Sequence, residues 1–307
     1  MIDVRRLHVL RAVQQYGSVT AAASALHLTV SAVSQQLHSL GDDVGAELVR
    51  REGRHAVLTP AAYVLLRHGG EIYAQWERAE AELAALREGS GGPLRLGAFP
   101  TALAALVAPA ARELRRAHAE LSLELVEAES SECFDLLLSR SIDIGIVVPL
   151  PDDPTRHDER FEQEALVDDV QDLIVPAGHR LAGGGPVELA DAAEETFVAA
   201  PGSIDQHQLI LAACQAAGFV PRVGHRAQEW NAIVSLVGAG FGVSLMPRLA
   251  PVRADAGVVR VPLRGAPLPR RRLLTCVRRG SGARPAVAAG LAALHEAAAR
   301  ASHGQRM

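Results

Sequence analysis

Residues 18–40 read SVTAAASALHLTVSAVSQQLHSL, and this stretch decides the fold of the N-terminal part of the chain. Ser18 and Thr29 each stand directly before a run that can form a helix, where a hydroxyl group can accept a hydrogen bond from a first-turn N–H. Three apolar residues in the second run are spaced as on one helix face: Val33, Leu37 and Leu40. The stretch predicts two helices joined by a short turn, the second ending at about Leu40.

The opposite face of the second helix carries short or polar side chains with almost no charge: Val30, Ser31, Ser34, Gln35 and His38. A helix face that only meets water is usually rich in charged residues. These side chains instead have the size and hydrogen-bonding groups to reach base edges and phosphates. The helices alone leave two interpretations open, a DNA-binding helix-turn-helix and a plain three-helix bundle.

A basic hairpin is predicted directly after these helices. Residues 48–60 read LVRREGRHAVLTP, which predicts two short strands around a glycine turn flanked by Arg51 and Arg54. A hairpin in this place is a wing that can contact the DNA backbone or minor groove, so it favours DNA binding. Thr59 and Pro60 are typical of the start of another helix.

The helix predicted over residues 60–88 has an apolar residue every three or four positions: Ala62, Leu65, Gly69, Ile72, Trp76, Ala79, Leu83 and Leu86. An isolated helix gains nothing from such a heptad stripe. We therefore expect a dimerisation helix, with packing against the chain's own body as the alternative. Residues 89–93, GSGGP, predict a hinge after the helix.

Beyond the hinge, predicted strands alternate with predicted helices, which is typical of a mostly parallel sheet. The predicted strands cover residues 94–99, 121–127, 142–148, 171–175, 196–200, 243–246 and 270–277. The predicted helices cover residues 101–117, 131–139, 206–217, 231–238 and 285–301. The fold class is therefore α/β with an all-α winged helix at the N-terminus.

Length and composition fit a globular protein with two or three domains: 307 residues, 49% of them hydrophobic, and a net charge of −4. The charge argues against a purely electrostatic nucleic-acid binder but allows a DNA-binding module on an acidic body. No apolar run approaches the ~20 residues of a membrane span, and the N-terminus differs from a signal peptide, so we expect a cytoplasmic protein. The cysteines and histidines lack metal-ligand spacing, and no metal or cofactor is predicted.

The sequence resembles the LysR-type transcriptional regulators. The strongest similarity runs without gaps from residue 10 to residue 59 and includes GS at 17–18, TAA at 20–22, AVSQQL at 32–37 and LT at 58–59. Looser matches are LRLG at 94–97, DIGI at 143–146 and VGAGFGVSLMP at 237–247, so the resemblance covers essentially the whole chain.

Two departures from the family bear on function and stability. Val30 and Ser31 stand where the family often has Gln-Pro, at the start of the recognition helix, which predicts an unusual site preference. Gly41 stands where the family often has Glu, and a glycine inside a helix costs about 1 kcal/mol relative to alanine.

The resemblance implies a linker helix and a two-lobed effector domain, similar to periplasmic binding proteins, with a small-molecule site in the cleft. The implied divisions are a winged helix-turn-helix in 1–59, a linker helix in 60–88, a hinge in 89–93 and an effector domain in 94–307. Lobe one would be residues 94–162 and 268–301, and lobe two residues 163–267. The implied protein is a homodimeric or homotetrameric transcriptional regulator that binds double-stranded DNA and a small-molecule effector.

The residues expected at the DNA are Ser18, Thr29, Val30, Ser31, Ser34, Gln35, His38, Arg51 and Arg54. Ser18 and Thr29 can hold phosphates at helix N-termini as well as cap them. Val30, Ser31 and Gln35 are expected at bases, with Val30 against a thymine methyl and Gln35 on an adenine. Ser34 would contact phosphate or base, and the two arginines the backbone.

The residues expected at the effector cleft are Phe99, Pro100, Thr101, Val148, Pro149, Ser203, Glu229 and Trp230. They lie at strand ends and helix starts, where ligands bind in open α/β folds. Thr101 and Ser203 begin predicted helices, whose free amides favour an anion such as a carboxylate. We therefore expect an organic anion as the effector, with ordinary loop capping as the alternative for each residue.

Three other functions were weighed against this one. An enzyme is not expected, because the chain has no GxSxG, P-loop, GxGxxG or HExxH motif. A solute-binding protein would lack the winged helix and carry an export signal. An oxidant sensor could use Cys133 and Cys214, since some family members use paired cysteines, but isolated cysteines on helices are usually core residues.

Overall fold

The computed structural model describes residues 4–26, 28–52, 55–86, 92–150, 153–156, 158–201 and 205–304. The N-terminal part consists of three helices, a hairpin and a long helix: α1 (Val4–Tyr16), α2 (Val19–Ala25), α3 (Val30–Val44), β1 (Val49–Glu52), β2 (His55–Leu58) and α4 (Pro60–Ala85). From α2 to α4, these elements have the types and the order that the sequence predicts.

One hydrophobic core joins the first three helices to the start of α4. Val33, Leu37 and Leu40 of α3 are all buried in it, as their spacing predicts. The alanines of α2 leave room for close helix packing, and Ala22 and Ala23 are buried. This core fixes the orientation of α3, so its opposite face points to solvent.

Helix α3 is longer than predicted. It continues past Leu40 and ends at Gly45, whose φ of 68° gives the left-handed C-cap that favours glycine. Gly41 lies within the last turns, where a Cβ atom would come within 2.9 Å of the Ala46 carbonyl oxygen. The glycine permits the chain to pass close to the helix it has just left, which its helix propensity alone does not reveal.

Helix α4 packs on its own chain along a stripe that differs in part from the predicted one. Its buried residues are Ala62, Leu66, Gly69, Ala74, Glu77 and Ala81. The predicted stripe contributes only Ala62 and Gly69 to this set, while five of its members are exposed: Ile72 (44%), Trp76 (55%), Ala79, Leu83 (58%) and Leu86 (82%). The helix thus has one face on the chain's own body and a second apolar face in solvent.

Among its described residues, the C-terminal part contains nine strands: β3 (Pro93–Ala98), β4 (Ser122–Glu127), β5 (Ile144–Val147), β6 (Phe161–Pro176), β7 (Thr196–Ala199), β8 (Arg222–Arg226), β9 (Ser244–Pro247), β10 (Val258–Val261) and β11 (Arg270–Arg278). Its helices in the described ranges are α5 (Pro100–Ala102), α6 (Ala108–Ala117), α7 (Ser130–Leu138), α8 (Asp205–Ala216), α9 (Trp230–Gly238) and α10 (Pro285–Gly304). A π-helical turn, Leu103–Val107, joins α5 to α6, so the single helix predicted over 101–117 is continuous but irregular.

The main sheet is mixed, and the prediction of a mostly parallel sheet is wrong for it. Its order is β10-β6-β11-β5-β3-β4, with β9 also paired to β6. Strands β4 and β5 flank β3 in parallel, whereas β11 runs antiparallel to both β5 and β6. The long strands β6 and β11 account for the difference, because they run back between the two βα units.

Strand β6 serves two hydrophobic cores. Val167, in its first half, packs with Leu94 and Leu273 in one cluster, and Leu173, in its second half, packs with Phe197 and Leu245 in another. The sequence predicts only the second half of this strand. The expected lobe boundary at residues 162 and 163 falls inside β6, and the division into lobes stays a prediction. Residues 87–91, which include three of the five residues of the predicted hinge, lie outside the described residues.

Within the described ranges, no helix is both long and apolar enough to cross a membrane. The same part of the chain contains no group of three or more side chains that could hold a metal ion.

Candidate DNA-binding and effector sites

The solvent face of α3 carries five of the side chains expected at the DNA. Val30, Ser31, Ser34, Gln35 and His38 are all exposed, whereas the residues between them face the core. Val30 is 45% exposed, although a valine of a folded domain is usually buried. The face is therefore apolar at one position, polar at the others and exposed to solvent.

Both predicted N-caps are present. The Ser18 Oγ accepts a hydrogen bond from the Ala21 N–H at 3.1 Å, and the Thr29 Oγ1 accepts one from the Ala32 N–H at 3.1 Å. The Ser31 hydroxyl lies 3.0 Å from Thr29 Oγ1. Capping is thus established for both residues, and the phosphate contacts expected of them stay predictions.

The wing hairpin pairs Arg50 with Val57 and Arg51 with Ala56. Arg50 lines the same groove as Ser18, Ser34 and His38, so it is a basic residue beside the expected DNA contacts that the sequence analysis did not include. Arg50 belongs to the same basic run, residues 50–54, as Arg51 and Arg54, and that run is the signal that could have included it. Arg54 and the side chain of Arg51 lie outside the described residues.

A cleft in the C-terminal part gathers six of the eight residues expected at the effector. Its lining includes Phe99, Pro100, Thr101, Val148, Glu229 and Trp230. Pro149 is exposed beside the cleft and does not line it, and Ser203 lies outside the described residues. The lining also contains residues that the sequence analysis missed: Glu129, Gln171, Gln206, Leu209, Gln228, Pro247 and Arg271.

A hydrogen bond closes one side of this cleft. The Trp230 Nε1–H donates to Thr101 Oγ1 at 3.0 Å, although the two residues are 129 positions apart. Thr101 is buried, with 4% of its surface exposed. The contact joins the start of α5 to the start of α9, so it holds two helix N-termini beside the same space.

The buried cation of the cleft is Arg271. Its guanidinium stacks over the Phe99 ring at 4.9 Å, and its Nε–H donates to the Asp169 Oδ2 at 2.9 Å. Asp169 also accepts the Leu249 N–H at 3.0 Å. Burial, only partly opposed by Arg271, raises the pKa of Asp169. The sequence did not single out Arg271, because it is the middle one of three consecutive arginines. Alternation along the strand turns only this one inward.

The three cysteines are all buried in hydrophobic surroundings. Burial raises the pKa of Cys133 to about 12 and that of Cys214 to about 12, and it also raises the pKa of Cys276. Thiol oxidation proceeds through an accessible thiolate. These properties disfavour the oxidant-sensor alternative.

An exposed polar helix face, a hairpin beside it and a body with a cleft are the features expected of a DNA-binding protein that carries a ligand-binding domain. The family model "Bacterial regulatory helix-turn-helix protein, lysR family" matches residues 4–63, and "LysR substrate binding domain" matches residues 87–299. The chain belongs to the LysR family of transcriptional regulators.

Three known proteins illustrate the similarity. The RuBisCO operon transcriptional regulator of Allochromatium vinosum is 30% identical over 246 residues, which cover 80% of this chain and 79% of that protein. The hydrogen peroxide-inducible genes activator of Dickeya chrysanthemi is 25% identical over 282 residues, or 91% of this chain and 90% of that one. The full-length CbnR structure with its target DNA has a TM-score of 0.58 at 20% identity, covering 97% of this chain and 100% of that one.

Proposed function

We propose that this regulator recognises its DNA site through the exposed face of α3 and responds to an organic anion bound in the cleft. The observation that carries the first part is the division of α3 into a buried apolar face and an exposed face that presents Val30, Ser31, Ser34, Gln35 and His38 before its first acid, Asp42. Such a face fits the major groove, where bases are read by hydrogen bonds and methyl contacts.

The DNA roles follow from position. Gln35 would bind an adenine and Val30 a thymine methyl group, with Ser31, Ser34 and His38 completing the contacts along the same face. The first-turn amides behind Ser18 and Thr29 would hold phosphates. Arg50 from the groove, together with Arg51 and Arg54, would contact the DNA backbone.

Two variants test these assignments by different readouts. Gln35→Ala should relax base preference in a selection from random DNA, because it removes base contacts. Arg54→Ala should weaken binding to all sequences about equally and lower the salt dependence, because it removes a phosphate contact. Gln14→Ala, on the exposed surface of α1, is the matched control. Unchanged preference and unchanged affinity in both variants would contradict the assignment.

The anion proposal is supported by the chemistry of the cleft. The helix starts at Pro100 and Trp230 border it, and the first-turn amides, which begin at Thr101 in the first of these helices, attract negative charge. Arg271 adds a cation beside Phe99, a combination suited to a carboxylate with an apolar body. Glu129 and Glu229 on the same lining would oppose a highly charged anion and favour one carboxylate per ligand.

Thermal stability measured against a panel of amino acids, small carboxylates and aromatic acids tests this proposal. At least one compound should raise the melting temperature, because a ligand that binds only the folded state stabilises it. Trp230→Phe removes the donor to Thr101 and should alter that shift, whereas Tyr63→Phe, on the exposed surface near the start of α4, should leave it unchanged. No shift from any anion, with DNA affinity also unchanged, would contradict the proposed cleft function.

The exposed apolar face of α4 supports a homo-oligomer. Ile72, Trp76, Leu83 and Leu86 lie at heptad spacing and have large exposed fractions in the single chain. A second copy of α4 would cover them in the manner of a coiled coil. Two copies would also present two α3 helices to the two halves of one DNA site.

A further inference from the structure

Helix α7 touches the effector cleft at its N-terminal end. Glu129, its N-cap residue, lines the cleft together with Val148. The buried Ser130 hydroxyl oxygen accepts a hydrogen bond from the Val148 N–H at 3.0 Å. The first turn of α7 is therefore bonded to the wall of the cleft and must follow a change in its shape.

The side of α7 contacts the DNA-binding domain directly. The Gln15 side-chain amide and the Tyr16 hydroxyl, at the end of α1, both donate to the carboxylate of Asp135. Burial, followed by the negative charge of Asp135, raises the pKa of Tyr16 to about 12, so the phenol keeps the proton that it donates. Gln15 and Asp135 are 120 positions apart, and this contact spans the two parts of the chain.

The C-terminal end of α7 is bonded to the linker helix. Arg140 Nη2 lies 3.0 Å from Glu77 Oε1, and the Arg278 Nε–H donates to that same oxygen at 2.7 Å. The Arg278 Nη1–H also donates to the Leu137 carbonyl in the last turn of α7, at 3.0 Å. Glu77 and Arg278 are buried, so water does not compete for these bonds.

We propose that α7 connects the effector cleft to the DNA-binding unit within one chain, through Asp135 to α1 and through the Glu77–Arg278–Arg140 cluster to α4. The nine-residue helix meets all three parts and is short enough to move as a rigid body. This inference rests on the proposed function, because it takes the cleft as the effector site. The contacts of α7 would connect the cleft to the DNA-binding unit directly, in addition to the connection through the linker helix and the hinge.

The contact itself can be tested by cross-linking. Gln15→Cys and Asp135→Cys in the full chain should be joined by a short bis-maleimide, because the native thiols are buried and unreactive. A cross-link within one chain, identified by mass spectrometry of the joined peptides, is the expected result. A cross-link only between two chains, or none, would overturn the proposal. The two single-cysteine variants are the controls.

The coupling can be tested without knowing the effector, because linkage between two sites is reciprocal. In a Trp76→Phe background, Trp230 is the sole tryptophan, and DNA selected by the protein should change its fluorescence. Asp135→Asn and Gln15→Ala should each reduce that change at least twofold, while Glu132→Gln, exposed on the same helix, should keep it. Equal changes in all variants, or none in the parent, would overturn the route.

DNA affinity, measured in parallel by fluorescence anisotropy, distinguishes a failure of the proposed function from a failure of the route through α7. A parent chain that binds no DNA would contradict the proposed function. Intact DNA binding with a Trp230 signal that does not depend on Asp135 would contradict only the route through α7.

Discussion

At the scale of single residues, alanine substitutions at two helical glycines should change the free energy of unfolding in opposite directions. A Cβ atom on Gly41 would come within 2.9 Å of a backbone oxygen, that of Ala46, which cannot easily move. On Gly70 of α4 the nearest atom is Arg11 Nη2 at 3.5 Å, an ordinary contact. We expect Gly41→Ala to lower the free energy of unfolding, despite the better helix propensity of alanine.

Gly70→Ala is the matched control for this prediction. It should raise the free energy of unfolding by about 0.5–1 kcal/mol, the usual gain for alanine over glycine in a helix interior. Urea denaturation of both variants beside the parent chain gives the comparison. A stabilised Gly41→Ala variant would show that the Ala46 carbonyl is free to shift.

The cysteines give a prediction of chemical inertness. With its pKa raised to about 12, Cys133 holds only about one thiolate in 10⁴ at pH 8, and the protein covers the thiol as well. We expect no sulfenate or disulfide at Cys133, Cys214 or Cys276 when the folded protein is treated with peroxide. Mass spectrometry measures this, with urea-unfolded protein as the reactive control. Rapid oxidation of the folded chain would restore the oxidant-sensor alternative.

Single residues also show where a sequence stops being informative. Arg270, Arg271 and Arg272 are identical neighbours, yet Arg270 and Arg272 pair with Asp168 at the surface while Arg271 turns inward to Asp169. Alternation along a strand predicts that the middle residue differs from the other two. Which face is buried depends on strand pairing more than a hundred positions away, and the sequence alone does not specify that pairing.

At the scale of elements, the linker helix makes a prediction about assembly. Leu83→Glu places a charge on the exposed apolar face of α4 and should weaken self-association at least about tenfold, or 1.4 kcal/mol. Glu82→Gln changes the neighbouring exposed residue and should leave association unchanged. Sedimentation velocity over a range of concentrations measures the effect. The same oligomer in both variants would exclude this face from the interface.

Elements governed by local signals were predicted well. Ser18, Thr29 and Thr59 cap the helices that they were expected to cap, because capping involves only residues three positions away. Strands β8 and β10 and the first half of β6 were missed, since they alternate polar and apolar residues weakly and owe their conformation to neighbouring strands. The buried stripe of α4 was missed because it includes an acid, Glu77, which is buried only through its arginine partners.

At the scale of the whole molecule, His8 connects pH to the packing of α1 on the C-terminal part. Burial lowers the pKa of His8 below 6.5, and the charges of Arg11 and Arg140 lower it further. The unfolded chain therefore binds the proton more readily than the folded one. Stability should be complete above pH 6.5 and fall as the pH drops from 6.5 towards the folded pKa.

His8→Gln should reduce this loss of stability. Melting temperatures at pH 7.5 and pH 5.5 should differ less in the variant than in the parent chain. His68→Gln, at the surface of α4 beside Glu71, is the control and should retain the parent's pH dependence. An unchanged pH dependence in His8→Gln would show that His8 does not carry it.

The lining of the effector cleft shows, at the scale of the whole molecule, which site residues a sequence can and cannot predict. Residues at strand ends and helix starts, such as Thr101 and Trp230, could be chosen from the sequence because ligands bind at such positions in α/β folds. Gln171 lies in β6 and Arg271 in β11, and they reach the cleft only through the pairing of β6 with β9 and with β11. Their role depends on topology, which a local pattern does not contain.

Strand β6 also restricts how the cleft can open. Its 16 residues run unbroken from one hydrophobic core to the other, and β11 is hydrogen-bonded along its first half. A continuous strand resists stretching far more than twisting, since stretching would break its ladder of hydrogen bonds. The cleft should therefore open by a twist of β6, which changes the angle between the walls of the cleft. The radius of gyration measured by X-ray scattering should stay nearly constant.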